Sequence, residues 1–489
     1  MIFNSIQFLV FFVLVTTLYY VLPYRYRWPM LLAASCWFYM AFVPVYILIL
    51  AFTIGVDYAA GILIEGTTGK TRKRWLIGSI VANVGVLAIF KYYGFLTDNW
   101  EGLMHSFGFV GYSVPDLGII LPIGLSFHTF QSLSYTIEVY RGNQKAERHL
   151  GIFSLYVMFY PQLVAGPIER PNNLLRQLHL EFDFDYKTVA SGLRLMAWGF
   201  FKKLVIADRV SAMVNHVYDN PEAHNGPALI LATFFFAIQI YCDFSGYSDI
   251  ALGTARVLGI DLMRNFRTPY SSTNISEFWR RWHISLSSWF RDYVYISLGG
   301  NRVVKWRWYY NLMITFLLSG LWHGANWTYI IWGGLHGFYL VFAVVTADAR
   351  GKLGAALGLG RAPWLNMALQ TMTTFVLVCF AWIFFRADTV GNAWYVATHL
   401  FTNPVGFFTS DALSFWSPLL GAAANEMYVA LLGIAIMEVV QHMHARRPMT
   451  LRLEAWSPMK RYTVYMGIIA FVVFLGSYYH TAQFIYFQF

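Results

Sequence analysis

Apolar runs long enough to cross a lipid bilayer recur along the whole chain, and they constrain the fold more than any other feature. A helix of about 17–25 apolar residues spans the hydrocarbon core of a membrane. Runs of this kind lie near 5–23, 28–44, 45–64, 75–95, 118–139, 190–213, 227–247, 308–324, 327–347, 366–385, 426–443 and 462–480. Only 12% of the 489 residues are charged, against about 25% in a soluble domain. The sequence therefore predicts an all-α, polytopic integral membrane protein with about 12 crossings.

Lysine and arginine cluster between these runs, and such clusters stay on the cytoplasmic side of a membrane. The clusters predicted to be cytoplasmic are "GKTRKR", "YRGNQKAERH", "RGKLG" and "HARRP", whereas residues 97–117, 214–227 and 387–425 contain no Lys or Arg and are predicted to be external. The first run has no basic residue before it, which is the reverse of a signal peptide. Both termini are therefore predicted to lie outside. The net charge of +10 comes mostly from these basic clusters, which orient the chain in the membrane. No nucleic-acid-binding motif is present in the sequence.

Two stretches do not fit simple spans. Prolines and glycines interrupt the apolar run in 150–185, and residues 248–306 are polar, basic and aromatic together. Non-helical backbone at membrane depth must be buried in protein or line a wet cavity. We therefore predict re-entrant or interfacial helices and a cavity that reaches in from the cytoplasm. No internal repeat is visible, so residues 1–489 are predicted to form one domain.

The first candidate site is His323, within "LSGLWHGANWTYIIWGGLH" at 318–336. Gly320 and Gly324 flank it and allow the backbone to approach closely. If the helix continues, Asn326 lies three residues further on the same face and can donate a hydrogen bond. The tryptophans suited to line a tunnel are Trp322, Trp327 and Trp332. The alternative is a polar contact between helices, since histidines hydrogen-bond across membrane helices.

The second candidate is the amphipathic stretch "SEFWRRWHISLSSWFRDYVYISLGGNR" at 276–302, which contains His283 beside Trp279 and Trp282. Its basic residues are Arg280, Arg281, Arg291 and Arg302. The functional hypothesis is that arginines bind a phosphorylated ligand at the mouth of a cavity. The alternative is positive-inside charge with an interfacial tryptophan belt.

Two carboxylates, Asp243 and Asp249, end an apolar run in "YCDFSGYSDIALG". Such a pair carries protons or cations in some membrane proteins. We favour a structural role, in which each carboxylate orients a neighbour or pairs with an arginine. The three cysteines are scattered and have no metal-ligand spacing, so they indicate neither disulfides nor a metal site.

These motifs resemble the membrane-bound O-acyltransferase (MBOAT) superfamily. The resemblance covers the two histidine motifs together with "LPIGLSFHTFQSLSYTIEVYRG", "FYPQLVAGPIER" and "YCDFSGYSDIALG", and thus most of residues 120–345. It is closest to the bacterial branch that acetylates envelope polysaccharides, in particular alginate, with peptidoglycan and cellulose as further acceptors. The resemblance implies a tunnelled helical bundle in the bacterial inner membrane. It assigns His323 as the catalytic histidine and His283 as a second, less understood one.

The resulting hypothesis is an O-acetyltransferase that uses acetyl-CoA as donor substrate, without a permanently bound cofactor or metal. Arg280, Arg281 and Arg291 are expected to hold the phosphates of CoA. His323 is expected to act as general base, and Asn326 to stabilise the oxyanion. The expected partners are the lipid bilayer, a periplasmic SGNH-type acetyltransferase and, indirectly, a polysaccharide. The alternative is a transporter or flippase that uses the polar residues His128, Asp243, Asp249 and His323.

The chain ends in the aromatic tail "FIYFQF" at 484–489. This tail is similar to the C-terminal aromatic motif of a small partner protein in teichoic-acid D-alanylation. The similarity implies that the tail folds back into the tunnel, buries its phenylalanines and presents the hydroxyl of Tyr486 to His323 as an acyl carrier. The alternative is an aromatic anchor at the membrane interface.

Overall fold

The computed structural model describes residues 1–109, 111–118, 121–403, 424–446, 449–478 and 484–485. Its α-helices are α1 Ile6–Val21, α2 Tyr24–Met40, α3 Ile47–Glu65, α4 Gly69–Leu87, α5 Tyr93–Ser106, α6 Leu125–Arg141, α7 Leu150–Met158, α8 Pro171–Leu178, α9 Tyr186–Phe200, α10 Asp208–Tyr218, α11 Gly226–Val257, α12 Ile275–Arg281, α13 Ile284–Trp289, α14 Lys305–His323, α15 Trp327–Val345, α16 Ala347–Ala356, α17 Pro363–Arg386, α18 Val390–His399, α19 Ala424–Arg446, α20 Met449–Ala455 and α21 Pro458–Leu475. No β-strand occurs within the described ranges. The predicted all-α fold is confirmed, and a helix lies at each of the apolar runs.

Seven helices in the described part of the chain are long and apolar enough to cross a membrane. They are Pro44–Glu65, Gly69–Ser106, Gly226–Val257, Trp327–Val345, Pro363–Arg386, Glu426–His444 and Pro458–Leu475. Helix α11 is the most enclosed of them, with 83% of its apolar window buried, whereas none of the window of α21 is buried. An apolar helix without protein cover requires lipid around it. The protein is a multi-pass membrane protein, and the number of 12 crossings stays a prediction.

The helices pack into two compact units. One consists of Met1–Leu193 with Ala251–Met263, and the other of Arg194–Ile250 with Arg264–Phe489. The single domain over 1–489, the central tunnel and the sidedness of the termini stay predictions.

In the first unit, the predicted interruption of the run in 150–185 is present between α7 and α8. Residues 159–169 are non-helical and buried. Protein groups satisfy this backbone, as the Tyr156 hydroxyl donates to the Glu169 carbonyl (3.1 Å) and Gly166 N donates to the Gln162 carbonyl (2.9 Å). Irregular backbone is tolerated in a membrane protein under this condition.

In the second unit, α14 and α15 pack against each other with two glycines at their closest approach. A methyl group on Gly320 would lie 2.2 Å from the backbone oxygen of Tyr329, and one on Gly333 would lie 2.2 Å from that of Phe316. Small residues let membrane helices approach in this way. The close approach predicted from Gly320 is confirmed.

We expect Gly320→Ala to lower thermal stability, because the added methyl group collides with backbone that cannot rotate away. Overpacking of this kind costs about 1–3 kcal/mol. The measurement is the temperature at which the detergent-solubilised protein loses its main peak in size-exclusion chromatography. Gly334→Ala is the matched control, since the nearest atom to its new methyl group would be Leu317 Cδ2 at 3.6 Å. Equal melting temperatures for the two variants would contradict the close packing at Gly320.

Candidate active site

His323 is the last residue of α14, and the sequence after it ends the helix. Gly324 is extended (φ −161°, ψ 150°) and Asn326 caps the start of α15. The side chain of His323 therefore lies at the junction between α14 and α15.

Aromatic rings enclose the His323 imidazole, which is 3% exposed. Ring centroids of Trp322 and Trp332 lie 4.9 Å away, and that of Phe385 lies 5.4 Å away, all edge-on to the imidazole. Trp332 in turn stacks on Trp382 at 5.8 Å. Trp322 and Trp332 thus pack around His323, and their role in lining a tunnel stays a prediction.

Trp327 is the most exposed of the three tryptophans named above. It is 52% exposed and is the first residue of α15, directly after the cap.

His283 lies where α12 has ended and α13 begins, in a left-handed backbone conformation (φ 42°, ψ 55°). The left-handed region costs a non-glycine residue about 1–2 kcal/mol. Asn265 holds the chain on the far side of this turn: its carbonyl accepts from Ile284 N at 2.9 Å and its Oδ1 from Ser285 Oγ at 2.7 Å. Strained backbone that is fixed by its surroundings is typical of functional sites.

The two family histidines contact the same indole ring. The His283 imidazole is fully buried, lies 4.6 Å from the ring of Phe244 and 6.3 Å from that of Trp322. Trp322 also contacts His323. The structure thus brings the two predicted histidines into one aromatic cluster of the second unit.

A third histidine, His336, belongs to this cluster and was not predicted. It is buried on α15, its Nδ1 accepts a hydrogen bond from Trp279 Nε1 (3.2 Å), and its ring lies 5.1 Å from that of Trp332. The signal in the sequence was its position four residues after Trp332, on the same helix face.

Asn326 is not where the sequence predicted it. Helix α14 ends at His323, so Asn326 does not share a helix face with it, and the i+3 argument is wrong. Its Oδ1 accepts from Thr328 N at 3.0 Å and its Nδ2 donates to the Asp388 carbonyl at 3.0 Å. Asparagine is among the preferred N-cap residues, and a cap is the role that these contacts give it.

Three arginines were predicted to bind the donor. Arg280 and Arg281 lie on α12, and Arg291 lies in the π-helical turn Phe290–Tyr295. Arg281 Nη2 binds Glu277 Oε1 at 2.6 Å, and Arg291 Nε binds Asp292 Oδ1 at 2.8 Å. Arg280 is exposed and donates to Ser276 Oγ at 3.3 Å. Their binding of CoA stays a prediction.

Trp279 and Trp282 test the tryptophan-belt part of the alternative interpretation of this stretch. Both are buried, at 8% and 1% exposure, in the hydrophobic core of the second unit. An interfacial tryptophan belt would leave such rings at the surface. The belt interpretation is therefore wrong for these two residues.

Asp243 and Asp249 form ion pairs with buried lysines. Asp243 Oδ1 lies 2.6 Å from Lys203 Nζ and Asp249 Oδ2 lies 2.7 Å from Lys202 Nζ. The predicted pairing of these carboxylates is present, with lysines in place of the expected arginines. In the first unit, a ring nitrogen of His128 binds the Leu163 carbonyl at 2.6 Å. These fixed contacts do not favour the transporter alternative.

The aromatic tail is partly described. Phe484 and Ile485 are buried, at 5% and 3% exposure, and Phe484 stacks on Tyr247 with a centroid distance of 4.4 Å. Phe484 also lies 5.9 Å from Phe244, the ring against His283. Tyr486 lies outside the described residues. The predicted burial of the tail's phenylalanines is present at Phe484.

A multi-pass helical membrane protein with buried histidines in an aromatic cluster is the class that these observations define. Residues 149–349 match MBOAT, the membrane-bound O-acyltransferase family. The chain is 41% identical to the probable alginate O-acetylase AlgI of Pseudomonas aeruginosa over 410 residues, which cover 82% of this chain and 75% of that protein. It is 39% identical to the AlgI of Azotobacter vinelandii (82% and 78% covered) and 34% identical to the peptidoglycan O-acetyltransferase of Helicobacter pylori (74% and 71% covered). The chain therefore belongs to the MBOAT family and is an O-acyltransferase.

Proposed function

We propose that this protein transfers acetyl groups from cytoplasmic acetyl-CoA across the bacterial inner membrane for O-acetylation of an extracytoplasmic polysaccharide. The observation that carries the proposal is the buried His323 at the end of α14, which shares an indole contact with His283. The names of the relatives favour an alginate-like acceptor, with peptidoglycan as the second candidate.

The proposed chemistry is general-base catalysis of ester formation. An acceptor hydroxyl attacks the thioester carbonyl carbon of acetyl-CoA, and a ring nitrogen of His323 takes the hydroxyl proton. The C–S bond then breaks, and the CoA sulfur leaves and receives that proton. Help from a positioned base contributes about 10²–10⁴ in rate. The aromatic wall excludes water, which protects the thioester from hydrolysis.

The acceptor nearest to this chemistry is proposed to be Tyr486. The buried Phe484 and Ile485 support this, because they fix the tail inside the second unit directly before that residue. An acetylated Tyr486 would pass the group to a serine of a periplasmic SGNH-type acetyltransferase, and that enzyme would acetylate the polymer. Termini on the periplasmic side fit this order.

The test uses membranes that contain the protein and acetyl-CoA labelled in the acetyl group. We expect release of CoA together with labelled protein, and labelled polymer when the genomic neighbours are present. A transporter would leave the thioester intact. Intact acetyl-CoA after prolonged incubation would therefore overturn the proposal.

Removing the three arginines together (Arg280→Ala, Arg281→Ala and Arg291→Ala) is expected to raise the Kd for CoA about tenfold or more, because each charge-assisted hydrogen bond to phosphate contributes about 1.5–3 kcal/mol. High salt should also raise the Kd of the wild-type protein for CoA, because salt screens the arginine charges. Binding is measured by isothermal titration calorimetry with CoA.

The matched control removes three exposed positive charges elsewhere (Arg350→Ala, Lys352→Ala and Arg361→Ala). It distinguishes phosphate contacts from a change in net charge. If the first variant bound CoA with unchanged affinity, these arginines would serve only to orient the chain in the membrane.

A further inference from the structure

A buried ionic cluster lies beside the C-terminal tail in the second unit. Lys203 Nζ bridges two carboxylates, Asp208 Oδ1 at 2.7 Å and Asp243 Oδ1 at 2.6 Å. All three residues are at most 5% exposed. A buried charge is costly unless its remaining hydrogen-bonding positions are also filled. One lysine cannot fill those of two carboxylates, so the cluster needs a further donor.

The tail supplies that donor. The backbone N–H of Ile485 donates to Asp243 Oδ2 at 2.7 Å. Asp243 is therefore divided between two partners, with one oxygen on Lys203 and the other on the tail. A hydrogen bond from a neutral N–H to a buried carboxylate is among the stronger ones in proteins.

The chain leading to the tail is held by the same region of the fold. Arg209 donates to the Leu475 carbonyl at the end of α21 (Nε 3.1 Å, Nη2 2.6 Å), and the Leu204 carbonyl accepts from Ser477 N at 2.9 Å. Lys203 and Leu204 belong to the π-helical turn Phe201–Ala207. A π-helical turn leaves carbonyl groups outside the regular helix pattern, and such turns are frequent at functional sites. The described part of 475–485 is thus fixed near both ends.

We propose that Lys203, Asp208 and Asp243 form a tail latch, in which the Asp243 carboxylate docks the C-terminal tail through the Ile485 N–H. Asp243 is then a positioning residue for Tyr486, the residue after Ile485. This consequence rests on the proposed carrier function. Docking itself is independent of that function. Without the tail, Asp243 Oδ2 would lose its donor inside the core, which favours the docked state.

Hydrogen–deuterium exchange of the C-terminal peptide in detergent micelles tests the latch. In the Asp243→Ala variant, the amides of the C-terminal peptide should exchange about tenfold faster or more, because a charge-assisted hydrogen bond is lost. Lys203 keeps Asp208 as its counterion in this variant. Asp249→Ala is the matched control, since it removes an equally close lysine pair (2.7 Å) from the same helix. Equal exchange rates in the two variants would overturn the latch.

A second pair of variants leaves the ionic cluster intact and guards against misfolding. Ile485→Pro removes the N–H donor and also fixes φ at that position, whereas Ile485→Val keeps the N–H. The amides of the peptide other than residue 485 should exchange faster in the proline variant alone. Protection in Ile485→Pro equal to that in Ile485→Val would overturn the latch.

Acetylation of the polymer, measured on the same variants, separates the two proposals. Faster exchange of the tail with unchanged polymer acetylation would leave the latch standing and overturn the positioning role of Asp243, whereas the carrier function itself is tested by Tyr486→Phe. Faster exchange of the tail together with lost polymer acetylation and persistent CoA binding would support both the latch and the carrier function.

Discussion

His323→Ala is expected to abolish acetyl transfer, with a fall in kcat of at least about 10²–10⁴. The variant loses the group that takes the proton from the attacking hydroxyl, whereas the surrounding rings of Trp322, Trp332 and Phe385 remain. Binding of CoA should change little, because aromatic rings enclose the imidazole and their contacts remain when it is removed. The rate is measured as release of CoA from acetyl-CoA by purified protein.

The matched control is His336→Ala, which removes an equally buried histidine from the same aromatic cluster. Here the loss leaves Trp279 Nε1 without its acceptor, which costs stability of about 1–3 kcal/mol. The rate per folded molecule should fall less than tenfold. If His323→Ala kept half of the wild-type rate, or if both variants lost activity equally, the general-base assignment would be wrong.

The helices were predictable because they depend on local sequence. Apolar runs of bilayer length must hydrogen-bond their own backbone as helices, and each run does contain a helix. The end of α14 was also readable, although it was missed. Gly324 and Asn326 are a stop and a cap, and treating Asn326 as a continuation of the helix gave the wrong geometry. At this position the capping preference of asparagine outweighs helix periodicity.

Other features depend on the fold as a whole. Trp279 and Trp282 could be interfacial or buried by residue type alone, and only packing decides that they are buried. Lys202 and Lys203 stand inside the apolar run 190–213, where a charge is costly and implies a partner. That signal predicts pairing with acids, yet it cannot say which acids. The bridge from Lys203 to Asp243 and on to Ile485 joins positions that are far apart in the sequence.

The tail yields the other large effect. Tyr486→Phe is expected to reduce polymer acetylation to background while CoA binding stays normal, because only the phenolic oxygen that accepts the acetyl group is removed. Burial of Phe484 and Ile485 contributes about 1.5–3 kcal/mol for each side chain, and this favours a docked tail over an interfacial anchor. A phenol is a stronger acid than a sugar hydroxyl, so its ester transfers the acetyl group more readily to a serine.

Mass spectrometry of the C-terminal peptide after incubation with acetyl-CoA should show one acetyl group on Tyr486, absent in Tyr486→Phe and in His323→Ala. Tyr478→Phe is the matched control, since that tyrosine belongs to the same C-terminal segment, is 49% exposed and donates to the Val472 carbonyl at 2.7 Å. It should keep polymer acetylation. If the Tyr486→Phe protein were fully active, the buried tail would be only an anchor, and the hydroxyl that accepts the acetyl group would belong to the partner enzyme.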